Sequence, residues 1–214
     1  MYMHITKTTY ISRNTIWQDN RIIHQQDETV SYQDFVKAAF KLLCAPYPKF
    51  YKMDSMSKLG YLATDILLKD TDLLSRYAKE EIGLVFLNSS STILTDTEHQ
   101  QSINDRSNYF PSPAVFVYTL PNIMLGEICI KNGFFGENAL LISEKFDAAT
   151  LHTQVKLLAE AGQIQACIAG WTEINEHHFE AFSMLIEPDD KAENSKEKCT
   201  FDVENIQKLY TRKY

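Results

Sequence analysis

The chain has 214 residues, 44% of them hydrophobic and 12% aromatic, a composition that excludes disorder, collagen-like repeats and a disulfide miniprotein. With 21 Lys+Arg against 28 Asp+Glu, its net charge of -7 gives no electrostatic footprint for a polyanionic backbone, so nucleic acid is not an expected partner. Residues 1–14 lack the apolar run of a signal peptide, and no stretch offers the ~18 consecutive apolar residues of a membrane span, which predicts no membrane role and a cytoplasmic protein.

In chain order, Tyr10 to Ile23 reads as short strands around Trp17 and Ile22-Ile23. Ser31 opens a helix, with Asp34 at the capping-box position and Phe35, Val36, Ala39, Phe40 and Leu43 on one side, and Pro46 and Pro48 end it. After Asp54 a second helix carries Met56, Leu59, Ala63, Ile66 and Leu67, with a break near Asp70 and a stripe continuing through Leu73, Leu74 and Tyr77. Ile82 to Leu87 reads as a strand buried on both faces. Ser112 and Pro113 start a helical stretch that Pro121 interrupts and Gly133 closes.

Ala139 to Ser143 reads as a strand, Asp147 as the cap of a helix ending at Gly162, and Gln165 to Trp171 and Phe179 to Ile186 as two further strands. This alternation predicts a layered α/β sheet. The expected organisation is one domain over residues 1–187, a polar linker or mobile loop over 188–200, whose composition buries little apolar surface, and a short amphipathic helix over 201–214, docked on the body or on a partner.

Several side chains invite chemistry. Ser89, Ser90 and Ser91 follow a strand, where open α/β sheets bind ligands, but no GxSxG, P-loop or GxGxxG pattern surrounds them, and a turn or capping role is the better reading. His177 and His178 lie near Glu173 and Glu176, but adjacent strand residues face opposite ways, which argues against one shared metal. His99 and His152 are isolated. Cys44, Cys129, Cys167 and Cys199 are far apart with no CxxC pair, so neither zinc nor a redox dithiol is expected, and no cofactor is implied. Ser143, Glu144 and Lys145 form a strand-to-helix turn of the kind that presents nucleophiles in several folds.

Four strings then carry a family resemblance. KFYKMDSMSKLGYLATDILL from Lys49, IGLVFLNSSS from Ile82, SPAVFVYTLPNIMLGEICIKNGFFGEN from Ser112 and QACIAGWTEI from Gln165 together resemble the N-terminal half of a β-ketoacyl-acyl-carrier-protein synthase, a condensing enzyme of the thiolase fold. The resemblance covers about Lys49 to Ile186 and implies a mixed sheet flanked by helices. In the family, the strand equivalent to Ala139–Ser143 leads to a Thr-Ala-Cys elbow whose cysteine carries the acyl chain. Counting from Gly136, Lys145 falls at that cysteine, and an amide formed on an amine would not leave as a thioester does.

A ketosynthase relative without its cysteine is similar to the chain-length-factor subunits of aromatic-polyketide and aryl-polyene or flexirubin-type pigment systems. The resemblance implies a non-catalytic subunit that pairs with a full-length ketosynthase or with itself, and that meets acyl carrier protein. It implies an acyl-pocket role for Phe110, Phe116, Thr119 and Asn122 and no metal. A lone half of such a fold is expected to expose an apolar face that association covers. A small stand-alone enzyme acting on acyl thioesters and a non-enzymatic homodimeric scaffold are the other readings.

Overall fold

A computed structural model of the chain describes residues 2–105, 107, 109–191 and 198–212. The N-terminal residues form an antiparallel meander of β1 (Met3–Ser12), β2 (Thr15–Gln18) and β3 (Arg21–Gln25). Arg13 and Asn14, then Asp19 and Asn20, make its tight turns at positive φ, the conformation that two-residue hairpins need. β1 begins well before the Tyr10 start that the sequence pattern suggests. Its bulge between Ile5 and Lys7 shifts the alternation and hides the period of two.

Helix α1 (Tyr32–Leu43) starts at Ser31, whose Oγ accepts from the Asp34 backbone N–H at 3.2 Å. Asp34 answers by accepting from that hydroxyl at 2.8 Å and not from the Ser31 backbone N–H, as a capping box requires. Helix α2 (Ser55–Leu67) is capped by Asp54, which accepts from the Met56 and Ser57 N–H groups. The turn at Asp70 is left-handed (φ 59°), and Leu73 continues in a separate 3-10 turn instead of in α2.

β4 (Ile82–Asn88) is buried throughout. It is followed by α3 (Ile93–Ile103), which the sequence pattern does not reveal because the helix carries almost no apolar stripe. α4 (Pro113–Val117) and α5 (Ile123–Asn132) stand either side of Pro121, and Gly133 ends α5 in the left-handed conformation, as helix C-termini favour. β5 (Asn138–Ile142), α6 (Ala148–Glu160), β6 (Ala166–Ile174), β7 (Phe179–Pro188), β8 (Cys199–Thr200) and α7 (Val203–Thr211) complete the chain. β8 falls inside the stretch read as linker and pairs with β1; residues 192–197 of that stretch lie outside the described residues.

The described strands form one mixed sheet in the order β3-β2-β1-β7-β6-β4-β5, with β8 beside β1. β4 runs parallel to both β5 and β6, while β7 is antiparallel to β6 and β1. Alternate residues feed two cores. Leu84, Phe86 and Ile168 join Phe35, Leu59, Leu62 and Leu125 under α1, α2 and α5. Val85, Leu87, Cys167 and Trp171 join Leu151, Val155, Ile206 and Leu209 under α6 and α7.

The second sheet face, expected to be open in a lone half, is thus covered by the chain's own α6 and α7. The large exposed apolar side chains instead include Phe110, Phe116, Val117, Leu120, Ile130, Phe135 and Ile142, which belong to the segments leading into and forming the β5 edge.

Candidate functional site

The carboxyl ends of β4, β5 and β6, the end of an open parallel sheet where ligands bind, meet the start of β7 and the end of β1. Here residues 143–147 turn the chain from β5 into α6. At the other end of β5, Gly136 lets the chain enter close beside β4, where a side chain would run into the Ile82 carbonyl oxygen. The Ser143 N–H donates to Asn88 O at 2.9 Å, Ser143 Oγ donates to Lys145 O at 2.8 Å, and Ser89 Oγ donates to Glu144 O at 3.2 Å. These bonds hold the backbone of the turn and leave the Glu144 and Lys145 side chains exposed.

Lys145 makes no ion pair among the described residues, so its ammonium is hydrated. The neighbouring carboxylate, Glu144, is exposed as well. At the start of α6, Asp147 Oδ1 accepts from the Ala149 and Thr150 N–H groups at 2.9 and 3.1 Å, and Oδ2 accepts from the Thr150 hydroxyl at 2.7 Å. The helix N-terminal donors that would stabilise an oxyanion are thereby committed to the chain's own cap. An open groove of about 900 Å³ runs along the elbow, lined by Ser143, Lys145, Ala149, Val203, Gln207 and Lys208.

Phe146 turns inward. Its ring stacks on Tyr210 with centroids 3.9 Å apart and meets Phe182 and Trp171 edge-on at 5.8 and 6.4 Å. Helix α7 thus seals the inner side of the elbow.

The serine loop has an organiser that sequence reasoning missed. Glu173 Oε2 accepts from the Ser89 N–H at 2.8 Å, the Ser90 N–H at 3.1 Å and Asn88 Nδ2 at 3.1 Å. Asn88 Nδ2 also donates to Thr172 O at 2.6 Å, and Asn88 Oδ1 accepts from the Ser91 N–H. Glu173 is only 2% exposed, and its Oε1 has no hydrogen-bond partner. The loop is therefore a backbone turn held by a buried carboxylate. A lone Glu ending a buried strand run was the available signal.

Glu173 is committed to that loop and not to the histidines. His177 and His178 are exposed in the turn between β6 and β7, their N–H groups donating to Asn175 Oδ1. His99 lies against Phe116 and His152 against Phe201. Of the four expected pocket residues, Phe110 and Phe116 are 82% and 56% exposed and Asn122 is exposed. Thr119 donates to Phe116 O at 2.7 Å, and its carbonyl accepts from Thr92 Oγ1 at 2.9 Å. None of the four lines the elbow groove. Among the described residues none of the four cysteines forms a disulfide. Burial pushes Cys129 up to about 11 and raises Cys44 and Cys167 further, so these three carry no thiolate at neutral pH.

Among solved structures, the ishigamide ketosynthase/chain length factor matches 90% of this chain and 64% of its own at a TM-score of 0.65 and 17% identity. The chain has a ketosynthase-like fold. A chain of the complex of the ketosynthase ApeO with its chain length factor ApeC from Xenorhabdus doucetiae matches over 87% of this chain and 79% of its own, at 0.55 and 16%. A β-ketoacyl synthase from Burkholderia phymatum matches over 88% and 59%, at 0.54 and 11%. The chain therefore spans about 64% of the length of the first of these neighbours. No family model and no curated protein matches the sequence. Among the described residues no helix is long and apolar enough to cross a membrane.

Proposed function

We propose that this chain is a non-catalytic, chain-length-factor-like subunit that pairs with an active β-ketoacyl synthase in fatty-acid or polyketide-type biosynthesis. The observation that carries the reading is the elbow. On a ketosynthase-like fold, the turn where a nucleophile belongs holds a hydrated Lys145, and Asp147 occupies the donors of the following helix. No acyl-enzyme chemistry is available to those groups.

The partner is supported by the β5 edge. β5 is the last strand of the sheet, its burial pattern is the most open of the parallel strands, and Ile142 on it is 60% exposed. An unpaired strand edge among the described residues, with exposed Phe135 just before it and Ile130 on the adjacent α5, is a template for another chain. In the ApeO–ApeC structure a ketosynthase is in complex with its chain length factor. By analogy, Phe110, Phe116, Thr119 and Asn122 line an acyl pocket only once a partner covers them, and an acyl carrier protein is met by the pair. The lack of a disulfide among the described residues at Cys44, Cys129, Cys167 and Cys199 supports a reducing, cytoplasmic setting.

The test is gentle purification of the tagged chain from its native cells, with identification and weighing of whatever co-elutes. A stoichiometric full-length ketosynthase is the expected result. Elution as a monomer or homodimer overturns the partner reading.

A further inference from the structure

A cleft of about 680 Å³ opens beside Tyr210, between the β1–β2 turn, the β6–β7 turn and the loop before α1, a volume within the range of small-ligand sites. It borders β1 and β7, which β6 and β4 separate from the β5 edge, so its occupancy is independent of the pairing proposed above.

Glu180 borders this cleft in an unusual state. Its Oε1 accepts from Trp171 Nε1 and from the Tyr210 hydroxyl, both at 2.7 Å, and its Oε2 accepts from the Tyr10 hydroxyl at 3.0 Å. All three donors are neutral. Burial foremost, and then the carboxylate itself, push the Tyr10 and Tyr210 phenols far up, so both remain protonated donors. Glu173 stands directly opposite Glu180 in the β6–β7 register, and neither carboxylate has an ion-pair partner among the described residues. A carboxylate accepts at about four positions; two are filled on Oε1 and one on Oε2, which leaves one acceptor position on Oε2.

The walls suit a cation. The Tyr10 ring lies 5.6 Å from that of Trp17 and 6.3 Å from that of Tyr210, and aromatic faces attract ammonium groups electrostatically. Exposed Arg13 and Glu28 also border the cleft and offset one another in charge. We infer that the cleft binds a small primary alkylammonium, one N–H of its head group donating to Glu180 Oε2 and its alkyl chain lying against Tyr10 and Trp17.

The site contains its own reporters, because Trp17 lines the cleft and Trp171, the other tryptophan of the chain, donates to Glu180 Oε1. Titrating n-butylammonium chloride into the full chain, against matched sodium chloride, should move the indole N–H signals saturably in NMR spectra. The expected dissociation constant is on the order of 1 mM, from one charge-assisted hydrogen bond plus cation–π contact. The neutral isostere 1-butanol should give no saturable shift. Glu180→Gln, whose amide oxygen still accepts from Trp171 and Tyr210 while its NH2 can donate to the Tyr10 hydroxyl oxygen, should weaken the amine by about tenfold or more. Equal responses to amine and alcohol, no saturation with either, or undiminished binding by folded E180Q would overturn the proposal. Should E180Q fail to fold, the amine–alcohol contrast on the natural chain decides.

Discussion

The Phe146 ring lies nearly flat on that of Tyr210, with centroids 3.9 Å apart and planes inclined by 21°. This one stack ties the last helix of the chain to the turn that ends β5, and the Tyr210 hydroxyl extends the tie to Glu180 on β7. Helix α7 is thereby a structural part of the elbow, although some 60 residues separate the two rings in sequence.

Tyr210→Ala removes both the stack and the donor to Glu180. Because Tyr210 is half-buried, a loss of about 2–3 kcal/mol is expected, below the range for a fully buried aromatic. That corresponds to a melting temperature lower by roughly 4–12 °C for a chain of this size. Tyr210→Phe keeps the stack and loses one hydrogen bond, about 1–2 kcal/mol. Thermal unfolding of the two variants separates the ring from the hydroxyl, and limited proteolysis near Phe201 should be faster only in the alanine variant.

Lys145→Ala touches nothing that the fold uses, since the side chain is exposed and the turn is held by backbone groups. Its stability should stay within about 0.5 kcal/mol of the natural chain. Thioester turnover by the isolated chain should be absent before and after the substitution. Loss of a measurable intrinsic turnover in the variant would replace the subunit reading with that of a stand-alone enzyme.

Glu173→Ala strips the acceptor from the Ser89 and Ser90 N–H groups and from buried Asn88. Leaving the part-buried Ser89 and Ser90 N–H groups unpaired, with Asn88 Nδ2 keeping only its bond to Thr172 O, should cost about 2–4 kcal/mol, while Glu173→Gln retains an acceptor oxygen and should cost markedly less. Denaturant melts give the difference. Nearly equal losses would show that the serine loop does not depend on this carboxylate.

Acid should loosen the helices that flank the elbow. Burial alone would raise the Asp202 carboxyl, but hydrogen bonds from Thr200 and Asn205 outweigh it and hold it below the ordinary 3.8. Asp147 is held low foremost by the Thr150 hydroxyl and N–H. A carboxyl whose folded value lies below its unfolded one contributes stability that is complete above the unfolded value and disappears as pH falls through the folded one. Unfolding free energy should therefore decline below about pH 4, and Asp202→Asn, which still caps α7 without titrating, should flatten that decline. An unchanged acid limb in the variant would remove Asp202 from the account.

The legible parts of the fold were those with local causes. Ser31, Asp54, Ser112 and Asp147 each accept from N–H groups two or three residues ahead, so their helix starts could be read from neighbouring letters. IGLVFL and QACIAGW were readable as central strands because burial on both faces leaves an unbroken apolar run. Helix α3 was not readable, because its residues show hardly any amphipathic pattern. The proposed placement of Lys145 at a nucleophile's position came from the resemblance and from the spacing to Gly136, and not from any local pattern.

What the sequence by itself determined is therefore the set of elements around β4, β6, α1, α2 and α6. The tertiary structure decided that β1 lies beside β7, that β5 is an edge, that α7 covers the second sheet face, and that Glu173 and Glu180 each gather three donors. The physical reason is range. A cap or an alternating strand is written within a few residues, but Tyr10 reaches Glu180 across 170 positions and Ser89 reaches Glu173 across 84, and such pairings exist only after the sheet has chosen its order.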